Sequence, residues 1–129
     1  MTERRDPRSL LHVAVRAELA ACAEQADYAP LAFAAEGFVH CCWPEQLGGV
    51  LSRYFRGRDD LVLLTLDANR LTALLREEAP PRGTELFPHV YGALPRQAVI
   101  EETPIATDAD GRRLDVGGAG NDADRETSS

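Results

Sequence analysis

The run Leu61-Val62-Leu63-Leu64-Thr65-Leu66, closed off by Asp59-Asp60 before it and Asp67 after it, constrains this chain more than any other feature. An apolar stretch of this length with no polar alternation does not suit a sheet with one wet face. It calls for a strand covered on both sides. The rest of the chain must therefore supply flanking strands and two covering layers.

Those elements are readable on either side. Ser9 to Val15 reads as a buried first strand interrupted by His12, and Arg16 to Gln25 as a helix that stops before Asp27-Tyr28-Ala29-Pro30. Glu36 to Cys42 reads as a second strand. Pro44 then takes the favoured first position of a helix whose stripe is Leu47, Val50, Leu51, Tyr54 and Phe55, with Gly57 as its stop. Gly48 and Gly49 each weaken that helix by ~1 kcal/mol relative to alanine, so close packing on a sheet is expected to hold it. After the central run come a turn at Asp67 to Arg70, a segment Leu71 to Glu78 of open type, and a loop at Pro80 to Gly83. Two extended segments follow, Glu85 to Leu94 and Gln97 to Thr103.

The chain has 129 residues, enough for one core. Residues 1–8 read as a flexible lead, 9–106 as the single domain, and 107–129, poor in large apolar residues, as a disordered acidic tail. Of the net charge of −7, the part before Asp108 carries −4, from 15 acids and 11 arginines, and the remainder −3, from six acids and three arginines. All 14 basic residues are arginine. An acidic body lacks the broad positive surface that nucleic acid requires, so nucleic acid is not expected as a partner. No apolar run reaches membrane-spanning length, and Met1 to Arg8 leads into no export segment; neither membrane nor export is expected. Cys22, Cys41 and Cys42 make an odd set, poor material for disulfides, and the cytoplasm is the expected compartment.

Leu11-His12-Val13, then Glu36 to Cys41 with Pro44-Glu45-Gln46, then Gly83 to Gly92 recur in an order and spacing similar to the bacterial family known as domain of unknown function 952. Arg53 to Gly57 and Asp60 to Leu64 lie between them. The resemblance spans about Leu10 to Ile105. It implies an α+β fold similar to the ADP-ribosyltransferases, with two packed, split β-sheets, flanking helices and a nucleotide cleft. In that fold a histidine on an early strand lies against the ribose of NAD, and His12 falls at such a place. Two positions depart from the family's usual pattern: Trp43 stands where a Ser or Thr N-cap precedes the proline, and Glu77 where an aromatic separates Arg76 from Glu78.

All three histidines fall inside these segments, and they define the candidate site. The catalytic set is His12, orienting a ribose, His40 and His89 as polar or acid-base groups, and Glu85, stabilising the positive charge that glycosidic cleavage builds. The ligand-binding set is Arg53 on a phosphate, Arg76, Glu78, and Tyr91 as an apolar wall with a polar tip. Each histidine could equally be a hydrogen-bonded core residue. Kept for a ligand, His12 is expected to cost little stability when replaced by alanine. His12, His40, Cys42 and His89 are zinc-type ligands, yet their spacing matches no zinc motif and no metal is expected. A cysteine nucleophile beside a histidine meets the objection that Cys41 and Cys42 lie among apolar neighbours. The leading expectation is a small enzyme acting on NAD or a related nucleotide by ADP-ribosyl-transfer-like chemistry. The alternative is a non-catalytic module that binds a nucleotide or other small ligand in the same cleft, and a lesser one is a metal-dependent enzyme with His and Cys ligands.

Overall fold

A computed structural model describes residues 5–115. The chain is α+β, with mostly antiparallel strands and few helices. The apolar run forms β4 (Leu61–Leu66), paired along its length with β1 (Leu10–Val15) on one side and β8 (Val99–Thr107) on the other. Alternation along β4 then divides the core in two. Val62, Leu64 and Leu66 join Leu10 and Ala14 on one face, while Leu61 and Leu63 join Leu11 and Val13 on the other.

Each face is covered by a different layer. The second is closed by α3 (Leu47–Tyr54), which buries Leu47 and Leu51 against Leu63 and Ile105. On the first face lie α1 (Arg16–Ala21), the two-stranded pair of β2 (Asp27–Tyr28) with β7 (Leu94–Pro95), and one side of a three-stranded sheet. That sheet is ordered β3 (Val39–His40), β6 (Phe87–Val90), β5 (Leu75–Glu78). Between α1 and β3 lies the single turn α2 (Phe33–Glu36), ended by Gly37 at φ 83°. The Arg96 guanidinium ties α1 down by donating to the carbonyls of Leu19, Cys22 and Gln25 at 3.4, 2.7 and 3.0 Å.

The segment after β3 joins the two larger sheets. Cys41 N donates to Pro88 O at 3.1 Å, whereas Cys42 exchanges two bonds of 2.8 Å with Leu11 of β1. Successive residues of this short extended segment therefore serve different sheets, and the expected strand over Glu36 to Cys42 contracts to two residues.

Several other boundaries move. The helix expected to Gln25 stops at Ala21, and Tyr54, assigned to the apolar stripe, is 64% exposed. Gly48 and Gly49 are exposed, and an added Cβ would meet nothing within 4 Å; close packing does not explain them. The lead gains a turn of 3-10 helix at Pro7–Ser9. The tail boundary at 107 is corrected as well, because β9 (Arg113–Asp115) pairs with β8. Asp108 closes the intervening turn by accepting from Asp110 N at 3.0 Å and Arg112 N at 2.8 Å. The same Asp and Gly residues that look disorder-promoting in composition are turn formers. The expected disorder of 116–129 lies outside the described residues, among which no helix is long and apolar enough to cross a membrane.

Two glycines should respond in opposite directions. Gly111 has φ +87°, and a Cβ there would come within 2.4 Å of Ser52 Cα in α3. Gly111→Ala should cost at least about 2 kcal/mol, combining left-handed strain with a backbone clash. Gly49→Ala fills open space on a helix and should add about 0.5–1 kcal/mol. Urea denaturation of both variants against the wild type tests the pair.

Candidate functional site

The three-stranded sheet has one face in the core and one outside it. Val39, Val90 and Leu75 form a row across β3, β6 and β5 on the core side, so the next row, His40, His89 and Arg76, lies on the opposite face. Phe38 covers that row. Its ring stacks on His89 with centroids 4.2 Å apart and 19° between planes, and it approaches His40 at 4.8 Å and Tyr91 at 5.4 Å. The His40 and His89 rings meet edge-on at 5.2 Å.

Glu78 is the polar centre of this face. Its Oε1 accepts from the Tyr91 hydroxyl at 2.5 Å and from His89 Nδ1 at 2.9 Å. The tyrosine bond first, and the histidine bond second, hold its carboxyl below the usual range, so the group is an anion at neutral pH. The same bond raises the Tyr91 phenol. His40, with its side chain 58% exposed, contacts Glu36 at 3.0 Å. Arg76 is exposed, with its guanidinium carbon 5.9 Å from the Tyr91 ring centroid, and has no hydrogen bond or ion pair among the described residues.

His12 sits behind this face, inside the core. It lies between Leu10 and Ala14 on the inner side of β1 and is 4% exposed. Its Nδ1 is 2.7 Å from the carbonyl of His40 and its Nε2 3.1 Å from the Tyr28 hydroxyl. A carbonyl only accepts, so Nδ1 carries the proton and Nε2 of the neutral ring accepts from Tyr28. Burial is the main cause that lowers the imidazole to about 4. Both ring nitrogens are occupied by the protein, and the ring holds β3 through the His40 carbonyl.

The structure thus brings together His40, His89, Arg76, Glu78 and Tyr91, with His12 beneath them. It leaves two expected residues aside. Glu85 accepts from Gln46 Nε2 at 3.1 Å, the same nitrogen that donates to Leu86 O at 2.7 Å, and this serves the entry to α3. Arg53 is exposed in the last turn of α3, and no hydrogen bond, ion pair or ring contact joins it to the histidines. Cys41 and Cys42 are buried, one in each half of the core. Burial first, and neighbouring groups after it, push both thiols up, Cys42 to about 12, so neither is a thiolate nucleophile at neutral pH. Among the described residues no three His, Cys, Asp or Glu side chains are grouped to hold a metal ion.

Phe38, Glu36 and Tyr28 are absent from the expected set. Phe38 was within reach of sequence, being two residues before His40 on an extended segment. Glu36 and Tyr28 carry no such signal, since α2 and the β2–β7 pairing create their contacts.

Over residues 13–102 the chain matches the model of a family described as protein of unknown function (DUF952). The chain belongs to the DUF952 family. Among solved structures it is similar to the crystal structure of protein CC0527 from Caulobacter crescentus, at 33% identity and a TM-score of 0.71, over 81% of this chain and 92% of that one. The solution structure of the same Caulobacter crescentus protein gives 35% identity and a TM-score of 0.67, over 80% and 89%. No curated protein matches.

Trp43 and Glu77, both singled out from sequence, meet in space. Trp43 Nε1 donates to Glu77 Oε2 at 3.0 Å, which satisfies a buried indole and takes Glu77 away from the row of Arg76 and Glu78. Trp43 offers no side-chain cap, and Gln46 Oε1 instead accepts from Trp43 N at 3.0 Å, the returning half of a capping box.

Burial of His12 makes stability depend on pH. Its folded value of about 4 lies below the ordinary imidazole value of 6.5, so between these limits the unfolded chain binds the proton that the folded one refuses. The His12 contribution is fully present above pH 6.5 and is lost, by roughly 3 kcal/mol, as pH drops towards 4. In His12→Gln the slope between pH 6.5 and 5 should vanish, measured by urea denaturation. His12→Ala, expected from sequence to be mild, should instead cost about 2–4 kcal/mol, because it strands the Tyr28 hydroxyl and the His40 carbonyl.

Proposed function

We propose that the outer face of the β3–β6–β5 sheet binds a small nucleotide-like ligand in the cytoplasm, NAD and its ADP-ribose part being the first candidates. The observation that carries this is the in-register row of His40, His89 and Arg76 with Tyr91 and Glu78 beside it. Tyr91 is 40% exposed and offers a ring against which a base can lie. Arg76 is the cation beside that ring and suits a phosphate, the role expected of Arg53. Glu78 supplies a fixed acceptor for hydroxyl or amide donors. The acidic net charge of −7 favours a small ligand over a nucleic acid.

A catalytic version of the same proposal, ADP-ribosyl-transfer-like chemistry on the fold that the family resemblance implies, is favoured by one feature. Glu78 is a carboxylate held ionised and in place by two donors, and such an anion stabilises the positive charge that develops on a ribosyl carbon. This is the role expected of Glu85.

A thermal-shift panel of NAD, ADP-ribose and related nucleotides is the test. At a hundredfold excess over its Kd a true ligand adds ~2.7 kcal/mol and raises Tm by roughly ten degrees. Arg76→Ala and Tyr91→Ala, both at exposed positions, should abolish the shift and leave the unliganded Tm within about three degrees. A panel without any shift would contradict the proposal, and release of nicotinamide from NAD would establish the catalytic version.

A further inference from the structure

His89 is the least accessible member of the outer face, with its side chain 10% exposed beneath Phe38. Its Nδ1 faces Glu78 Oε1 at 2.9 Å. An ionised carboxylate only accepts, so Nδ1 carries the hydrogen, and in the neutral ring Nε2 is left with a lone pair. Among the described residues that Nε2 has no hydrogen-bond partner. This differs from His12, whose second nitrogen the Tyr28 hydroxyl occupies. A buried acceptor without a partner is costly unless something else satisfies it.

From this arrangement we infer that His89 and Glu78 form a proton-accepting pair, in which Glu78 fixes the Nδ1–H tautomer so that His89 Nε2 receives a hydrogen bond from an O–H or N–H of the ligand. The inference rests on the outer face being the ligand site. It names the ligand chemistry that this position selects: a hydroxyl such as those of a sugar, or an amine or amide N–H, and not a phosphate oxygen or a carbonyl, which would face the lone pair with one of their own. Toward the proton received at Nε2, Glu78 acts through His89 and is a positioning residue. In a reaction the ligand O–H bond would break, an N–H bond form at Nε2, and the electron pair stay on the ligand oxygen. The resulting imidazolium would keep its Nδ1–H on the Glu78 carboxylate.

Long-range proton–nitrogen spectra of the 15N-labelled full chain at about pH 8.5, where imidazoles are largely neutral, read the tautomer directly. Wild-type His89 should show a protonated Nδ1 and a bare Nε2. Glu78→Gln should keep that pattern, because its amide oxygen accepts the same proton, and Glu78→Ala should convert His89 to the Nε2–H form. Saturating ADP-ribose should then move the bare Nε2 resonance in the direction of hydrogen-bond acceptance. An Nε2–H tautomer in the wild type would overturn the inference. So would an Nε2 resonance that stays put while the His40 and Tyr91 signals report bound ADP-ribose. If ADP-ribose leaves every signal in place, the nucleotide proposal falls and the tautomer spectra alone decide the pair. Wild type and Glu78→Gln carry that decision if Glu78→Ala fails to fold.

Discussion

Everything else in the molecule depends on β4 being hydrogen-bonded on both edges and buried on both faces. A strand so placed cannot tolerate a solvated side, and its five leucine and valine residues divide between two hydrophobic clusters that the rest of the chain exists to close. The division propagates outward by alternation. On β1, Leu10 and Ala14 go to one cluster and Leu11 and Val13 to the other, and the same split separates Cys41 from Cys42. His12 has the parity of Leu10 and Ala14, so it is committed to the core before any question of function arises. Its polar nitrogens are tolerated there because Tyr28 and the His40 carbonyl meet both of them.

That bond links the core to the candidate site. The stretch Val39 to Cys42 pairs first with β6 and then, at Cys42, with β1, so it is held by two sheets at once. The His12 ring adds a third attachment at the residue whose own side chain faces outward. The position of His40 on the outer face is therefore set from within. His89 opposite it is fixed differently, by Phe38 stacked above and Glu78 at its Nδ1. A rigid sheet carrying side chains fixed from both sides is the kind of platform on which a small ligand can be held without reorganising the protein.

How far this was legible in the sequence differs by element. β4 and β1 stand out because continuous apolar runs leave few alternatives. The short pieces did not, since β2, β3 and β7 have only two residues each and take their identity from partners far along the chain, such as Leu94 for Tyr28. The hairpin of β8 and β9 was hidden by composition: Asp108, Asp110 and Gly111 look like the start of a disordered tail and instead make a turn. For the site, the presence of His40, His89 and Tyr91 in the family segments pointed to one locality, and pairing in register brings them together with Arg76 and Glu78. The opposite fate of His12 follows from its parity on a strand with two buried faces, and the displacement of Arg53 and Glu85 follows from α3 serving the other half of the core. Neither was available without the layer arrangement.

In the proposed reading function resides on the outer face of the three-stranded sheet, with His12 as its internal support and not as a ligand group. The most direct measurement is a crystal structure of the full chain grown with ADP-ribose. Ligand density is expected against Tyr91, with a donor within hydrogen-bond distance of His89 Nε2, a phosphate near Arg76, and His12 still bonded to Tyr28 and to the His40 carbonyl. Density in the depression between α3 and the β8–β9 turn, lined by Pro44, Leu47, Gly48 and Gly111, would contradict it, and so would a ligand in contact with His12.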